Sequence, residues 1–301
     1  MSYIERARAF YEQELAPAIR EQFGQYESRI AAGLVGEGSE CFGFDDKYSE
    51  DHDLEPGCCL WLTDKDDEEI GQALHELYEQ FAVPSARRGV FRIDGFYSDL
   101  LGTKSWKKKD TWGMIPEHRL ATAVNGVVFR DDSGEFTRER EFIGSYYPLQ
   151  LWRIRLAEQL HLFSQNGQYN YARMMARKDD VTASICVAQA VKGTMGAAYL
   201  LNKIYCPYYK WMRRGMEQFT VLKELSSLID ELTVVGNQSD AWKTDVYSSA
   251  IINRTDQKVE LFEQIAETLL AELNRQGIVQ GKDPFLDRYC QEIMRGGEMN
   301  G

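Results

Sequence analysis

The sequence predicts an α+β protein, with a short mixed sheet and flanking helices over residues 1–135 and an all-α helical bundle over residues 136–301. Short apolar runs between turn residues, which are typical of strands, occur only in the first part. From Glu135 onward apolar residues recur with the helical period. At roughly 100–200 residues per domain, a length of 301 residues corresponds to two domains, each large enough to bury its own core.

Four short apolar runs bounded by turn residues are the predicted strands of the first domain: 31–35, 58–63, 90–94 and 126–130. Helical spacing over 3–31, interrupted at Pro17, predicts an amphipathic helix or a broken pair ahead of the first strand. A second helix is predicted over 64–81, because its acidic first turn suits the positive end of a helix dipole. These elements alternate, as expected for a mixed sheet with helices packed on it.

The second domain is predicted from its 3.6-residue periodicity alone. The expected helices are 136–145, 148–165, 168–178, 180–203, 207–217, 218–235, 256–276 and 284–295. The most apolar stretch, 181–201, is long enough to cross a bilayer, but it contains Gln189, Lys192 and several small residues. We therefore interpret it as a buried helix of a bundle, and expect no membrane partner.

The net charge of −12 comes from one part of the chain. Residues 40–79 contain 14 acidic and two basic side chains, so the rest of the sequence is electrically balanced. An acidic protein of this kind is an unfavourable partner for polyanions, although a local acidic cluster attracts divalent cations. The charge therefore weakly disfavours nucleic acid as a partner or substrate and favours a small neutral or cationic molecule.

The beginning of the chain, residues 2–8, is charged and amphipathic, which argues against a signal peptide. The six cysteines show neither a C-x-x-C motif nor a pairing pattern, and we interpret them as reduced thiols. Both features predict a cytoplasmic protein.

One constellation in the acidic window has specific chemistry: Gly38-Ser39, eleven intervening residues, and then Asp51-His52-Asp53. On an extended segment, side chains two apart point to the same side, so Asp51 and Asp53 can share a divalent cation, whereas His52 points away and is interpreted as a packing residue. A Gly-Ser turn after a strand leaves backbone N–H groups and a hydroxyl free for phosphate oxygens. The pattern predicts a site for a metal ion and a triphosphate.

This pattern resembles the DNA polymerase beta-type nucleotidyltransferase superfamily, which includes the aminoglycoside and lincosamide nucleotidyltransferases and the small nucleotidyltransferases of toxin–antitoxin systems. It is more similar to a bacterial branch of that superfamily defined as a domain of unknown function. The matching segments, spread over about residues 20–235, are Gly38-Ser39-Glu40, Ser49-Glu50-Asp51-His52-Asp53, Pro56-Gly57, 168–173 and 201–211.

The resemblance implies a nucleotidyltransferase fold in the first domain and transfer of a nucleoside monophosphate, AMP in our prediction, from an NTP to an acceptor hydroxyl, with release of pyrophosphate. It implies that Asp51 and Asp53 are catalytic carboxylates that bind Mg²⁺, with Mn²⁺ as the alternative, and that Gly38 and Ser39 hold the β- or γ-phosphate. The helical domain would close over the nucleotide, so the active site is expected in the cleft between the domains.

The resemblance also implies a third carboxylate on a following strand. Asp94, at the end of the predicted strand 90–94, is the nearest candidate for a catalytic role. Asp131 is the second candidate, although an aspartate before Asp132-Ser133-Gly134 is equally well explained as a turn residue. If neither is a ligand, we expect either a metal site of two carboxylates or a catalytically weak enzyme.

In the helical domain the resemblance points to Asn202, Tyr209 and Lys210 as nucleotide-binding residues. We expect Lys210, beside Tyr209 and Trp211 on a helix after Pro207, to contact a phosphate or the base. Asn202 and Tyr205 are expected three residues apart on one face of a single helix.

Two other functions remain open from the sequence: an inactive NTP-binding or interaction protein, and a toxin-like nucleotidyltransferase that modifies tRNA. A basic and aromatic cluster would suit nucleic acid, but we favour a solvated helix or an interdomain contact, with a contact to the NTP tail as a third option, for its members: Lys104, Lys107, Lys108, Lys109, Trp106 and Trp112. Arg173 and Arg177, one helical turn apart, suit either carboxylates or phosphate.

Overall fold

A computed structural model of the chain describes residues 1–46, 57–242 and 253–296. The chain divides into two compact units, Met1–Tyr146 and Tyr147–Gly301. The described residues are mainly helical and include one small four-stranded mixed sheet, which confirms the predicted α+β class. The predicted domain boundary at 135/136 coincides with the start of a helix inside the first unit.

The sheet lies in the first unit, with strand order β3-β2-β1-β4. The strands are β1 (Ala31–Leu34), β2 (Cys59–Leu62), β3 (Gly89–Arg92) and β4 (Val127–Arg130). The two central strands are apolar and fully buried, as expected for strands covered on both faces. Gly33 in β1 has no room for a side chain, because a Cβ there would lie 2.6 Å from the carbonyl oxygen of Val127.

The register brings one end of β1 together with the beginnings of the other three strands. β2 is antiparallel to β1, with Gly33 opposite Cys59, and β4 is antiparallel to β1, with Leu34 opposite Val127. β3 is parallel to β2, with Cys59 beside Gly89. We call this end of the sheet, where the chain leaves β1, the β1-exit end. It carries the segments 35–39, 57–58, 87–88 and 125–126.

The described residues of the first unit form seven α-helices: α1 (Tyr3–Phe10), α2 (Ala16–Phe23), α3 (Asp64–Asp66), α4 (Gln72–Tyr78), α5 (Ile93–Leu101), α6 (Glu117–Ala123) and α7 (Glu135–Gly144). π-helical turns at Tyr11–Leu15 and Asp67–Gly71 join neighbouring helices, so helical structure is continuous over 3–23 and 64–78, within the predicted ranges 3–31 and 64–81. Short 3-10 turns lie at Glu27–Arg29, Glu40–Phe42 and Lys109–Met114.

All regular elements in the described part of the second unit are helical. They are α8 (Leu149–Phe163), α9 (Tyr171–Ala176), α10 (Asp180–Leu201), α11 (Met212–Gly215), α12 (Leu225–Val234), α13 (Gln257–Arg275) and α14 (Cys290–Arg295). A π-helical segment, Ser164–Asn170, joins α8 to α9, and 3-10 turns lie at Tyr209–Trp211, Met216–Gln218, Ser239–Trp242 and Leu286–Tyr289. Among the described residues, no helix combines the length and apolarity that crossing a bilayer requires.

Close packing of α10 on α8 explains the small residues in the apolar run. A Cβ at Gly193 would lie 2.7 Å from the backbone nitrogen of Phe163, so the two helix backbones approach to a distance that only glycine permits. The start of α13 is fixed by the buried Asp256, which precedes its first residue. The Asp256 carboxylate accepts hydrogen bonds from the Trp242 ring N–H, the Lys258 backbone N–H and the Tyr171 hydroxyl.

Three predicted elements were wrong in detail. The predicted strand 90–94 ends at Arg92, and its last two residues begin α5. The predicted helix 207–217 is a succession of 3-10 and α turns, and the helix predicted over 218–235 begins only at Leu225. In the two helix predictions, short turns with local backbone hydrogen bonds occupy part of the predicted range.

Candidate functional site

The turn that follows β1 supplies free hydrogen-bond donors. Gly36 and Gly38 both have φ of +120°, in the region that favours glycine, and they reverse the chain before the 3-10 turn at Glu40–Phe42. Within the described residues, no partner accepts a hydrogen bond from the N–H of Gly38, the N–H of Ser39 or the Ser39 hydroxyl. Both residues are partly exposed. Such a group of donors is a suitable environment for an anion.

Asn125 fixes the first residue of this turn. Its Oδ1 accepts from the Gly36 N–H at 2.9 Å, and its Nδ2 donates to the Gly36 carbonyl at 2.7 Å. Arg140 from α7 in turn donates through Nη2 to the carbonyls of residues 124, 125 and 126 at 2.8 to 3.1 Å. The Asn125 side chain therefore connects the turn to the segment before β4, and the Arg140 side chain holds the backbone of that segment.

Glu40 and Arg88 fix the other end of the turn. Both residues are 7% exposed, and the Arg88 Nη2 donates to the Glu40 Oε1 at 2.5 Å. The Arg88 Nη1 donates to the carbonyl of Arg87 at 2.6 Å, just before β3. The Glu40 carboxylate lies against Gly38, where a Cβ would overlap both of its oxygens. A side chain at position 38 would therefore have to displace the Glu40 carboxylate from Arg88, and the backbone conformation there also favours glycine.

Two buried thiols surround the same guanidinium. Arg88 Nη2 lies 3.4 Å from the Cys41 sulfur, and the Cys59 thiol donates to the Arg87 carbonyl at 3.2 Å. Burial raises the pKa of Cys41 to about 12 and that of Cys59 to about 11, against the opposing effect of Arg88. Both thiols are neutral at physiological pH, so Glu40 is the anion that balances the charge of Arg88.

The aspartates predicted to bind the metal, Asp51 and Asp53, lie outside the described residues, as does His52. The residues that follow them, Gly57 and Cys58, lie at the β1-exit end, because β2 is antiparallel to β1. Within the part of the chain that the structure describes, no three His, Cys, Asp or Glu side chains form a group that could hold a metal ion.

Asp94 and Asp131 both lie at the opposite end of the sheet. Asp94 lies two residues after the last residue of β3, in the first turn of α5, where Lys107 pairs with it at 2.7 Å. Asp131 follows β4, whose last residue, Arg130, pairs with Ala32 at the beginning of β1. The Asp131 carboxylate accepts from the N–H of Thr137 at 2.7 Å, as a residue that stabilises a turn and the following helix does.

The basic and aromatic cluster makes contacts within the first unit. Lys107 pairs with Asp94 and, at 3.2 Å, with Glu139, and its ammonium group lies 5.0 Å from the ring centroid of Trp106. Lys109 donates to the Tyr146 carbonyl and lies 4.9 Å from the Trp112 ring centroid. Trp106 and Trp112 themselves are buried. These contacts of Lys107 and Lys109 are made within the first unit and not with the second unit, as an interdomain contact would require, and the preference over a nucleic-acid surface stays a prediction.

In the second unit, the Asn202 side chain is already engaged with the backbone. Asn202 follows the last residue of α10, and its Oδ1 accepts from the N–H groups of Thr220 and Val221 at 3.0 and 3.1 Å. Its Nδ2 donates to the carbonyls of Ala198 and Val221. Tyr205 lies beyond the helix end, so the prediction that Asn202 and Tyr205 share one helix face was wrong.

Tyr209 and Lys210 lie in a 3-10 turn of the second unit rather than in a longer helix. Tyr209 is 69% exposed, and its ring centroid lies 4.5 Å from that of Tyr208. Lys210 lies 5.2 Å from the ring centroid of Trp211. Arg173, elsewhere in the unit, donates to the Tyr169 hydroxyl.

Sequence reasoning missed Glu40, Arg88 and Asn125 as parts of this site. Glu40 was visible beside Gly38-Ser39, but nothing in its spacing indicated that its partner would be an arginine 48 positions later. The available signal was the unusual position of Arg88 directly before an apolar strand, where a charged side chain must be paired if it is buried.

A family model described as a domain of unknown function (DUF4037) matches residues 112–212. The matched range includes Asn202, Tyr209 and Lys210, and it begins after the Gly38-Ser39 turn. No curated protein and no solved structure matches the chain.

Proposed function

We propose that this protein is a Mg²⁺-dependent nucleotidyltransferase, in which the Gly38-Ser39 turn holds the phosphates of an NTP and Asp51 and Asp53 hold the metal. The observation that carries the proposal is the turn itself. Two N–H groups and one hydroxyl have no partner among the described residues, lie partly exposed, and are held from both sides by Asn125 and by the Glu40 side chain. Fixed donors of this kind suit phosphate oxygens.

Chain connectivity supports bringing Asp51 and Asp53 to the same end of the sheet. Asp53 precedes Gly57 by four residues, and four residues of fully extended chain span at most about 14 Å. Gly57 directly precedes Cys58 and β2 at the β1-exit end, next to the segment that contains the turn. Carboxylate oxygens are the ligands that Mg²⁺ prefers, usually together with substrate phosphates and water.

The proposal uses two carboxylates and not a third. Asp94 and Asp131 follow strands β3 and β4 at the opposite end of the sheet from Gly38 and Ser39. Strands rise about 3.3 Å per residue, so a four-residue strand separates its two ends by about 10 Å. Neither aspartate is therefore assigned to the metal.

The proposed reaction is attack of an acceptor hydroxyl on the α-phosphorus of the NTP, with pyrophosphate as the leaving group. Mg²⁺, when bound, would neutralise phosphate charge and favour deprotonation of the hydroxyl. The turn would hold the leaving phosphates in line with the attacking oxygen, and this positioning is the main contribution that phosphoryl-type transfer needs from a protein. The resemblance favours AMP as the transferred group, and the acidic charge of the chain favours a small hydroxyl-bearing acceptor.

The resemblance also proposes Tyr209 and Lys210 as nucleotide-binding residues, since an exposed tyrosine ring and a lysine suit stacking and phosphate binding. Asn202 is better explained as a structural residue, because both ends of its amide bind backbone groups. Its replacement is expected to lower stability.

Binding of each NTP should first be measured by calorimetry with and without Mg²⁺, followed by release of pyrophosphate and labelling of a cell extract with [α-³²P]ATP. Asp51→Asn and Asp53→Asn should each abolish labelling, and Asp240→Asn, on an exposed aspartate of the second unit, should not. Labelling that persists in the Asp51→Asn/Asp53→Asn double variant would overturn the metal assignment.

A second candidate, an NTP-binding protein without transferase activity, is favoured by one observation. Both aspartates considered as a third carboxylate lie at the end of the sheet opposite the turn. For such a protein, the same calorimetry would detect Mg²⁺-dependent NTP binding that needs Ser39, while neither pyrophosphate nor a labelled acceptor would form.

A further inference from the structure

We propose that Arg88 is a positioning residue of the phosphate site: by pairing with the buried Glu40 carboxylate, it sets the conformation and the charge of the Gly38-Ser39 turn. The part of this inference that concerns phosphate rests on the proposed function. The part that concerns the conformation of the turn does not.

The Glu40 carboxylate acts on the turn by direct contact. It fills the space that a side chain at Gly38 would occupy, with both oxygens against that position. Gly38 has φ of +120°, and the carboxylate lies on the side of its Cα where a side chain would project, so the carboxylate limits the conformations open to this residue. A shift of Glu40 must therefore be transmitted to Gly38 and to the N–H of Ser39.

Arg88 determines where that carboxylate lies. Its Nη2 contacts the Glu40 Oε1 at 2.5 Å, while its Nη1 donates to the Arg87 carbonyl at 2.6 Å. The planar guanidinium thus connects the turn to the segment that enters β3. A lysine has one ammonium group in place of this fork and cannot maintain both contacts with the same geometry.

The pair also determines the charge beside the turn. Glu40 and Arg88 are each 7% exposed, so water screens the carboxylate poorly. Without the guanidinium, an uncompensated negative charge would lie against the donors that are proposed to receive phosphate. Arg88 therefore has two effects on an anion at this turn: it orients the donors and it cancels the nearest opposing charge.

Arg130 provides a matched control at the other end of the same sheet. It is also an arginine next to a strand end, it pairs with Glu27 and Asp132 at 2.5 Å, and it lies far from the turn. Arg130→Met should lower thermal stability as loss of an ion pair does. It should leave the turn unchanged.

The test compares Arg88→Met, Arg88→Lys and Arg130→Met in the full-length protein by amide hydrogen exchange and by calorimetry with inorganic tripolyphosphate and Mg²⁺. The N–H groups of Phe42 and Phe44 donate to the Ser39 carbonyl and report on the turn. In Arg88→Met they should exchange about tenfold faster, and tripolyphosphate should bind about tenfold more weakly, as loss of a charge-assisted hydrogen bond implies. Arg88→Lys should recover only part of both.

Equal effects of Arg88→Met and Arg130→Met on these two amides would overturn the inference, because general destabilisation would then account for them. If Arg88→Met does not fold, Glu40→Gln takes its place in the exchange measurement alone. It keeps the side-chain shape and weakens the pair with Arg88, so the Phe42 and Phe44 N–H groups should again exchange faster, whereas the unpaired Arg88 charge would itself favour tripolyphosphate. If the wild-type protein binds neither tripolyphosphate nor any NTP, the proposed function fails, while the exchange rates still decide whether Arg88 sets the turn.

Discussion

Asn125 and Gly36 exchange two hydrogen bonds, one in each direction, across the β1-exit end of the sheet. A side-chain amide that pairs with both backbone groups of one residue leaves that residue little freedom. Gly36 is buried, so its N–H and carbonyl have no water to replace Asn125. Asn125 thereby fixes the backbone at Gly36, two residues before the free N–H of Gly38.

Asn125→Ala should lower the free energy of unfolding by about 1–3 kcal/mol, since two buried backbone groups lose their partner. It should also weaken Mg²⁺-dependent NTP binding, because Gly36 leads directly into the proposed phosphate turn. Urea denaturation and calorimetry measure the two effects separately.

Asn274 offers a matched control, because it makes the same two-way exchange with Gly281 in the second unit, at 2.9 Å in both directions. Asn274→Ala should reduce stability and leave NTP affinity unchanged. If both variants weaken NTP binding equally, the contact at Gly36 has no special link to the site.

Gly38→Ala should be much more harmful than substitution of another glycine with positive φ. A Cβ at position 38 would overlap the Glu40 carboxylate, and the φ of +120° is strained for any L-residue, so we expect a loss of more than about 2 kcal/mol in unfolding free energy. Gly43 has φ of +68° and no atom within 4 Å of its added Cβ. Gly43→Ala should therefore cost only about 1 kcal/mol. Similar midpoints for the two variants in urea would contradict the close contact between Glu40 and Gly38.

Much of the fold was predictable because it depends on local pattern. All four strands lie at predicted apolar runs, since a short buried strand needs little more than such a run between turn residues. The end of β3 was missed because Ile93 and Asp94 continue the apolar and polar alternation of the strand, while the chain in fact turns there into α5.

The site was less predictable, because it depends on register rather than on pattern. The sequence contains Asp94 and Asp131 after strands, but only the directions of β3 and β4 put both at the end away from Gly38. The same directions bring Arg88 and Asn125 to the turn. The contacts of Arg88 and Asn125 with the turn form only when the strands pair, so they cannot be predicted from residue spacing along the sequence.

Lys203 should make the stability of the second unit depend on alkaline pH. Burial lowers its pKa to about 8, from 10.5 in an unfolded chain, so the unfolded state binds more protons between these values. The free energy of unfolding should therefore rise as the pH increases from 8 to 10.5. The ammonium group lies 3.0 Å from the Trp152 ring centroid, a contact that favours the charged form and reduces the effect to about 1–2 kcal/mol.

Lys203→Met should remove this rise, and Lys282→Met, on an exposed lysine of the same unit, controls for the loss of one positive charge. Urea denaturation at several pH values between 7 and 10.5 measures the difference. A stability that falls over this range in the wild-type protein relative to Lys203→Met would show that the stacking with Trp152 outweighs burial.

Asp94→Asn and Asp131→Asn should each leave the proposed transfer rate within about twofold of wild type, whereas Asp51→Asn and Asp53→Asn should lower it by about a thousandfold, as loss of an essential ligand does. The reason is distance: a Mg²⁺ ligand must approach to about 2.1 Å, and both aspartates lie a full strand length from Gly38 and Ser39. Asp94 is also occupied by Lys107. The transfer rates are measured as initial rates of pyrophosphate release at saturating Mg²⁺, for each of the four variants and for the wild-type protein. A large loss in Asp94→Asn that Lys107→Met does not reproduce would assign Asp94 to the chemistry, because disruption of their ion pair could no longer explain the result.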